Sequence, residues 1–174
     1  GTLDLTLPTN YNEKRSAGAV QRPANLPSDA VFGNLLFNRQ DSARLTSAQP
    51  QSKIALNANY RVGKFGAVAR VTRFGRVLTL DPINPALDET FSPKFVTDVS
   101  VSYRIQRNVN VTIGANNLLD VYPDRLQANR QPTPERFGSA VQDNSSFGRF
   151  IYSRAATQFG FNGGYYFINV SSSF

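Results

Sequence analysis

The stretch that decides the fold is NVNVTIGANNLLDVYPDR, Asn108 to Arg125, preceded by DVSVSYRI, Asp98 to Ile105. In it Val109, Val111, Ile113 and Ala115 alternate with Asn108, Asn110, Thr112, Gly114 and Asn116. Successive Cβ atoms of a strand point to opposite faces, so strict alternation predicts a strand with one apolar and one polar face. Asn116, Asn117, Asp120 and Pro123 then supply the chemistry of a turn that ends it. Upstream, Phe95, Val99, Val101, Tyr103 and Ile105 oppose Asp98, Ser100, Ser102 and Arg104, and the short turn around Gln106, Arg107 and Asn108 joins the two strands.

The same period extends outward. Leu3, Leu5 and Leu7 alternate with Asp4 and Thr6. Ile54, Leu56, Ala58, Tyr60 and Val62 oppose Lys53, Ala55, Asn57, Asn59 and Arg61. Phe65, Ala67, Ala69 and Val71 oppose Gly66, Val68, Arg70 and Thr72. Tyr166, Ile168, Val170 and Phe174 oppose Tyr165, Phe167, Asn169, Ser171 and Ser173, with Ser172 a gap in the apolar row. The predicted fold is all-β, an antiparallel up-and-down meander of about six strands over 2–11, 53–62, 65–79, 95–106, 109–119 and 158–174. Short turns at Val62–Lys64 and Gln106–Asn108 mark one end, and long connections over 12–52, 80–94 and 120–157 mark the other. Asp29 to Asp41 is the stretch of loop able to carry a short helix.

Segments of about ten residues exceed the ~5–6 of an ordinary soluble strand. They match the ~9–11 that cross a bilayer at a tilt. Tyr11, Tyr60, Tyr103, Tyr122, Phe159, Phe161, Tyr165 and Tyr166 cluster toward segment ends, which suits either the aromatic girdles of a membrane barrel or the core of a sandwich. No run approaches the ~20 apolar residues of a membrane helix, and no signal peptide is expected at the N-terminus.

Composition narrows the chemistry. The 174 residues contain no Cys, Met, Trp or His. That removes disulfides, thiol nucleophiles, the commonest metal ligand and the commonest general base. No enzyme activity, metal or cofactor is expected. The adjacent acids Asp88 and Glu89, and the near neighbours Asp120 and Asp124, are the remaining carboxylate pairs, read as loop solvation. Net charge is +7, from 19 Lys and Arg against 12 Asp and Glu, with no basic run of the nucleic-acid type. No nucleic-acid partner is expected.

The run Asn117, Leu118, Leu119, Asp120, Tyr122, Pro123 resembles the Asn-Leu-(Phe/Leu)-Asp-x-Tyr-Pro motif of TonB-dependent outer-membrane receptors, where it leads from the penultimate strand into the last external loop. The final strand, with Tyr166, Ile168, Val170 and Phe174, resembles the terminal strand read by the barrel-assembly machinery. QPQSKIALNANYRVGKFGAVARVTRFGRV and QFGFNGGYYFINVSSSF are similar to the family's last strands. The resemblance covers essentially the whole chain and is strongest over 50–76, 94–125 and 158–174.

The resemblance implies that the six strands are the last six of a 22-stranded transmembrane β-barrel in the bacterial outer membrane. The short turns would then be periplasmic and the long loops external. It implies active uptake of a scarce nutrient such as a ferric siderophore, haem, cobalamin or glycan. The implied partners are outer-membrane lipid, the rest of the barrel and its plug, the TonB complex through an N-terminal part, the assembly machinery and, in some relatives, a surface lipoprotein. The plug and TonB box are expected outside these residues. Six strands with one apolar face leave two raw edges, so the chain is expected to be part of a longer barrel. The rivals are a passive porin-like or structural barrel and a soluble β-sandwich binding module.

Candidate ligand contacts are the loop residues Arg125, Arg130, Arg136, Arg149 and Tyr152, suited to an anionic ligand, to lipopolysaccharide phosphates or to plain solvation. The inward faces carry Asp4, Asn57, Asn59, Arg61, Arg70, Asp98, Ser100, Arg104, Asn110 and Asn116, read as plug or solute contacts or as cross-strand pairing.

Overall fold

The computed structural model describes residues 1–13, 25, 37–81, 85–126, 150–153, 156 and 158–173. Its main sheet runs in the order β1 (Thr2–Thr6), β3 (Ser52–Val62), β4 (Phe65–Phe74), β7 (Lys94–Gln106), β8 (Val109–Asn116), β9 (Tyr165–Ser172), with β2 (Thr9–Tyr11) also on β3. Every pairing is antiparallel. A second ribbon pairs β5 (Val77–Thr79) with β6 (Glu89–Phe91), and among the described residues one helix, α1 (Arg39–Thr46), precedes β3.

The expected first strand, 2–11, is one strand interrupted by Pro8. Leu5 faces Ala58 and Thr9 faces Ile54 in unbroken register. Pro8 still accepts from the Ala55 N–H at 3.0 Å, but having no N–H it cannot return the bond. The expected third strand, 65–79, is likewise continuous in register but broken at Gly75 and Arg76. Phe74 faces Lys94 and Val77 faces Phe91, so β4–β5 and β6–β7 form one long ribbon. Pro93 lies opposite the break. There the Gln158 Nε2 donates to the Gly75 carbonyl at 2.6 Å and to the Ser92 carbonyl at 2.8 Å, tying both strands across the gap. The connection expected as loop over 80–94 therefore contains the strand β6 and a 3-10 turn, Pro85–Leu87.

Two other boundaries change. β8 ends at Asn116 rather than 119, because Asn117 has φ 50° and Asp120 has φ 51°, left-handed values incompatible with a strand. The last strand begins at Tyr165 rather than 158, because Gly163 turns the chain at φ 75°. Within the stretch Asp29–Asp41, α1 begins at Arg39: Asn38 caps it, accepting from the Asp41 N–H, while Asp41 accepts from the Asn38 N–H. Residues 29–36 of that stretch lie outside the described residues.

At the short-turn end, Gly63 takes the first central position of the Val62–Phe65 hairpin with φ 55°, the position where a two-residue hairpin loop favours glycine. A bulge between Arg104 and Gln106 closes the other short turn. The small core sits at the opposite end, where Ala48, Val77, Phe91, Leu126 and Ala156 are buried together.

Candidate functional site

Register builds two unlike faces. One row across the sheet reads Leu3, Tyr60, Ala67, Val101, Ile113, Ile168, and the next reads Leu5, Ala58, Ala69, Val99, Ala115, Tyr166. On the opposite face the rows read Thr2, Arg61, Gly66, Ser102, Thr112, Asn169 and Asp4, Asn59, Val68, Ser100, Gly114, Phe167. All six segments thus turn their apolar side the same way. No described element covers that side: Leu5 is 61%, Ile113 57% and Ile168 72% exposed.

Aromatics bound the apolar face. Tyr60, Phe65 and Tyr103 lie toward the short turns, with the Phe65 and Tyr103 rings 4.7 Å apart. Tyr11, Phe95 and Tyr166 lie toward the loops. Phe95 to Tyr103 is eight residues, about 26 Å along the strand at ~3.3 Å per residue. Arg73 joins this face at its loop end, between Ile54 and Phe95, where a long cation reaches past apolar surface to a polar boundary.

On the polar face, Phe167 crosses the strand opposite Gly114. A Cβ at Gly114 would stand 2.5 Å from the Phe167 ring and 2.8 Å from the Val99 carbonyl, so glycine admits the aromatic. At the loop end Asn10, Lys53, Phe74 and Lys94 follow one another across β2, β3, β4 and β7.

The segment after β8 forms a latch. The Asn117 carboxamide donates to the Val121 carbonyl at 2.8 Å and accepts from the Val121 N–H at 2.9 Å. The Asn117 N–H donates to the Asp98 carboxylate at 2.9 Å. Asp120 accepts from the Gly164 N–H at 2.8 Å, fixing the entry to β9. The Tyr122 hydroxyl donates to Asp120, which holds its pKa above the ordinary tyrosine value; partial burial and the charges of Asp120 and Tyr152 act the same way. Tyr122 stacks on Tyr152, with centroids 6.0 Å apart, and Tyr152 on Phe161 at 5.8 Å. Asp124 accepts from the Ser92 N–H and the Lys94 ammonium, both at 2.6 Å. Desolvation raises the Asp124 pKa, but the bonds from Lys94 and Ser92 outweigh it and hold the carboxyl below its usual value.

The motif residues Asn117, Asp120 and Tyr122 are therefore joined in one network, with Pro123 half-buried beside it and Leu118 and Leu119 exposed. Of the expected ligand contacts, Tyr152 is in the aromatic stack and Arg125 is exposed at the loop end; Arg130, Arg136 and Arg149 lie outside the described residues. Tyr166, Ile168 and Val170 occupy the apolar side of the edge strand, and Phe174 lies outside the described residues. The carboxylate pairs are separated by their partners. Asp88 holds Arg39 in a two-pronged ion pair, with contacts at 2.6 and 3.3 Å. Asp120 and Asp124 serve the latch. Lys53, Lys94 and Gln158 were not singled out from sequence; the alternation placed Lys53 on the polar face, while Lys94 and Gln158 carry no local signal.

No family model matches the sequence, and no curated protein matches it. Among solved structures, the chain is similar to one in the FpvAI–pyocin S2 complex, at 12% identity and a TM-score of 0.48, over 73% of this chain and 14% of that one. At that identity and TM-score the likeness assigns neither family nor ligand.

Proposed function

We propose that this chain is a wall segment of a transmembrane β-barrel in the bacterial outer membrane, of the TonB-dependent receptor kind, serving energised uptake of a scarce nutrient. The observation that carries the reading is the two-faced sheet: predominantly apolar rows exposed on one side, predominantly polar rows on the other, and aromatics at both ends of the apolar side. Water is a poor solvent for such a face, since each exposed large apolar side chain forgoes about 1.5–3 kcal/mol of burial. A bilayer supplies the burial, and its hydrocarbon band of ~25 Å between aromatic girdles suits the strand span. The open edges at β1–β2 and β9 then receive neighbouring strands, completing a barrel of 22.

In this reading the polar face meets the lumen and a plug, the long connections are external, and β9 is the strand presented to the assembly machinery. The latch residues match the motif position by position, which favours a receptor over a passive porin. The work of coupling to the TonB complex falls to parts of the protein outside these residues. The chain supplies wall and loops rather than catalysis. Ferric siderophore, haem, cobalamin and glycan are the candidate solute classes.

The test is uptake in cells. The protein is expected in the outer-membrane fraction, and uptake of its solute is expected to stop when TonB is deleted. Recovery in the soluble fraction would overturn the membrane reading. Outer-membrane location with uptake unaffected by TonB would overturn the energised-transport reading alone.

A further inference from the structure

We propose that the loop end of the polar face holds a binding site for a small organic molecule carrying two or more carboxylates. Two depressions of about 430 and 410 Å³ lie there and share Asn10 and Lys53. Each is within the ~300–1,000 Å³ of small-molecule sites. Arg70 and Asn57 line the second, and Phe74 lines the first.

The two cations are available. Arg70 uses only its Nε, donating to the Asn57 Oδ1 at 2.7 Å; its two terminal nitrogens have no partner among the described residues. Asn57 is itself held by donating to the Thr6 hydroxyl at 3.0 Å, so the guanidinium is braced from behind. Register places Asp98 opposite Arg70, but its Oδ1 accepts from the Asn117 N–H and it forms no ion pair with Arg70. Lys53 holds its ammonium 5.1 Å from the centre of the Phe74 ring and forms no ion pair with a described residue.

A guanidinium with its fork open matches a carboxylate in two-pronged geometry, and the ammonium adds a second point charge. Lys53 and Arg70 lie four residues apart along the ribbon register and line the same depression, so one ligand with separated carboxylates reaches both. Pro8, Ala55 and Phe74 give a carbon skeleton apolar surface, which favours an organic anion over inorganic phosphate. As the identity of the imported solute this inference rests on the uptake reading; as a binding site it does not.

Calorimetric titration of the intact protein in detergent, with citrate as the probe, separates the two. Citrate is expected to bind at one site. Lys53→Gln and Arg70→Gln are each expected to weaken it about tenfold or more, the effect of losing a charge-assisted contact. Arg70→Lys keeps the charge, loses the fork and is expected to fall between. Arg107→Gln, in the short turn at the opposite end of the sheet, is expected to leave binding unchanged, and inorganic phosphate is expected to bind at least about tenfold more weakly. No citrate binding, equal binding in Lys53→Gln and Arg70→Gln, equal loss in Arg107→Gln, or phosphate binding as tight as citrate would each overturn the proposal. None of these outcomes touches the location or TonB dependence of uptake.

Discussion

Replacing Asn117 separates the two things that this residue does. Its backbone is left-handed at φ 50°, and its side chain makes two bonds to the Val121 backbone while only 8% exposed. Asn117→Ala deletes both bonds, at about 0.5–1.5 kcal/mol each, and adds a left-handed alanine at about 1–2 kcal/mol. The expected loss is about 2–5 kcal/mol. Asn117→Gly loses the same bonds but tolerates the φ, so it is expected to be about 1 kcal/mol less damaging than alanine. The assay is urea unfolding of the intact protein in lipid vesicles, followed by circular dichroism, with stability from the midpoint and slope. Alanine within about 0.5 kcal/mol of the native protein would refute the latch. Glycine as damaging as alanine would refute the backbone part of the reasoning.

Three further outcomes follow from the same geometry. Ile113→Arg, on the apolar face, is expected to destabilise the protein in vesicles by about 2–4 kcal/mol, while Thr112→Arg, one residue away on the polar face, is expected to cost little. The depressed pKa of Asp124 means that its folded state binds a proton less readily than the unfolded chain, so its stabilising contribution is present above the ordinary carboxylate pKa of ~3.9 and is lost as pH falls through the lower folded value. Asp124→Asn should therefore be less stable than the native protein near neutral pH, and the gap should close in acid; a gap that persists unchanged at low pH would count against the Lys94 and Ser92 contacts. A Cβ at Gly164 would stand 2.5 Å from the Asn117 carbonyl, whereas one at Gly160 meets open space. Gly164→Ala should then cost about 1–3 kcal/mol in the same unfolding assay, and Gly160→Ala much less.

The faces of the sheet were legible because alternation depends only on local geometry. Each of the six apolar sets falls on one side, and register then aligns them, as Leu3, Tyr60, Val101, Ile113 and Ile168 illustrate. Strand ends were less legible. Leu118 and Leu119 prolong the apolar stretch, yet the alternation breaks at Asn117, whose left-handed backbone ends the ladder, and side-chain bonds to Val121 stabilise that ending. Residues 158–164 contain aromatics spaced like a strand, but Phe159 packs on Phe74 and Gln158 is drawn into the ribbon break by carbonyls 83 and 66 residues away. Only tertiary structure supplies such partners. The helix start lies within the expected stretch, and its local signal is the capping pair Asn38 and Asp41. Of the candidate site, the motif network was legible as a turn but not as a latch, since Lys94, Ser92 and Gly164 come from distant segments.

The central claim is that one face of this sheet meets lipid and the other water. The chain contains no Cys, so single cysteines can be introduced along β8 from 109 to 116, Gly114 apart because a Cβ there meets the Phe167 ring, spin-labelled and reconstituted in vesicles. Paramagnetic resonance then reads accessibility to oxygen, which concentrates in lipid, and to a water-soluble nickel chelate. The account predicts a period of two, with 111, 113 and 115 favouring oxygen and 110 and 112 favouring nickel. Nickel access on both faces, or no alternation, would contradict it.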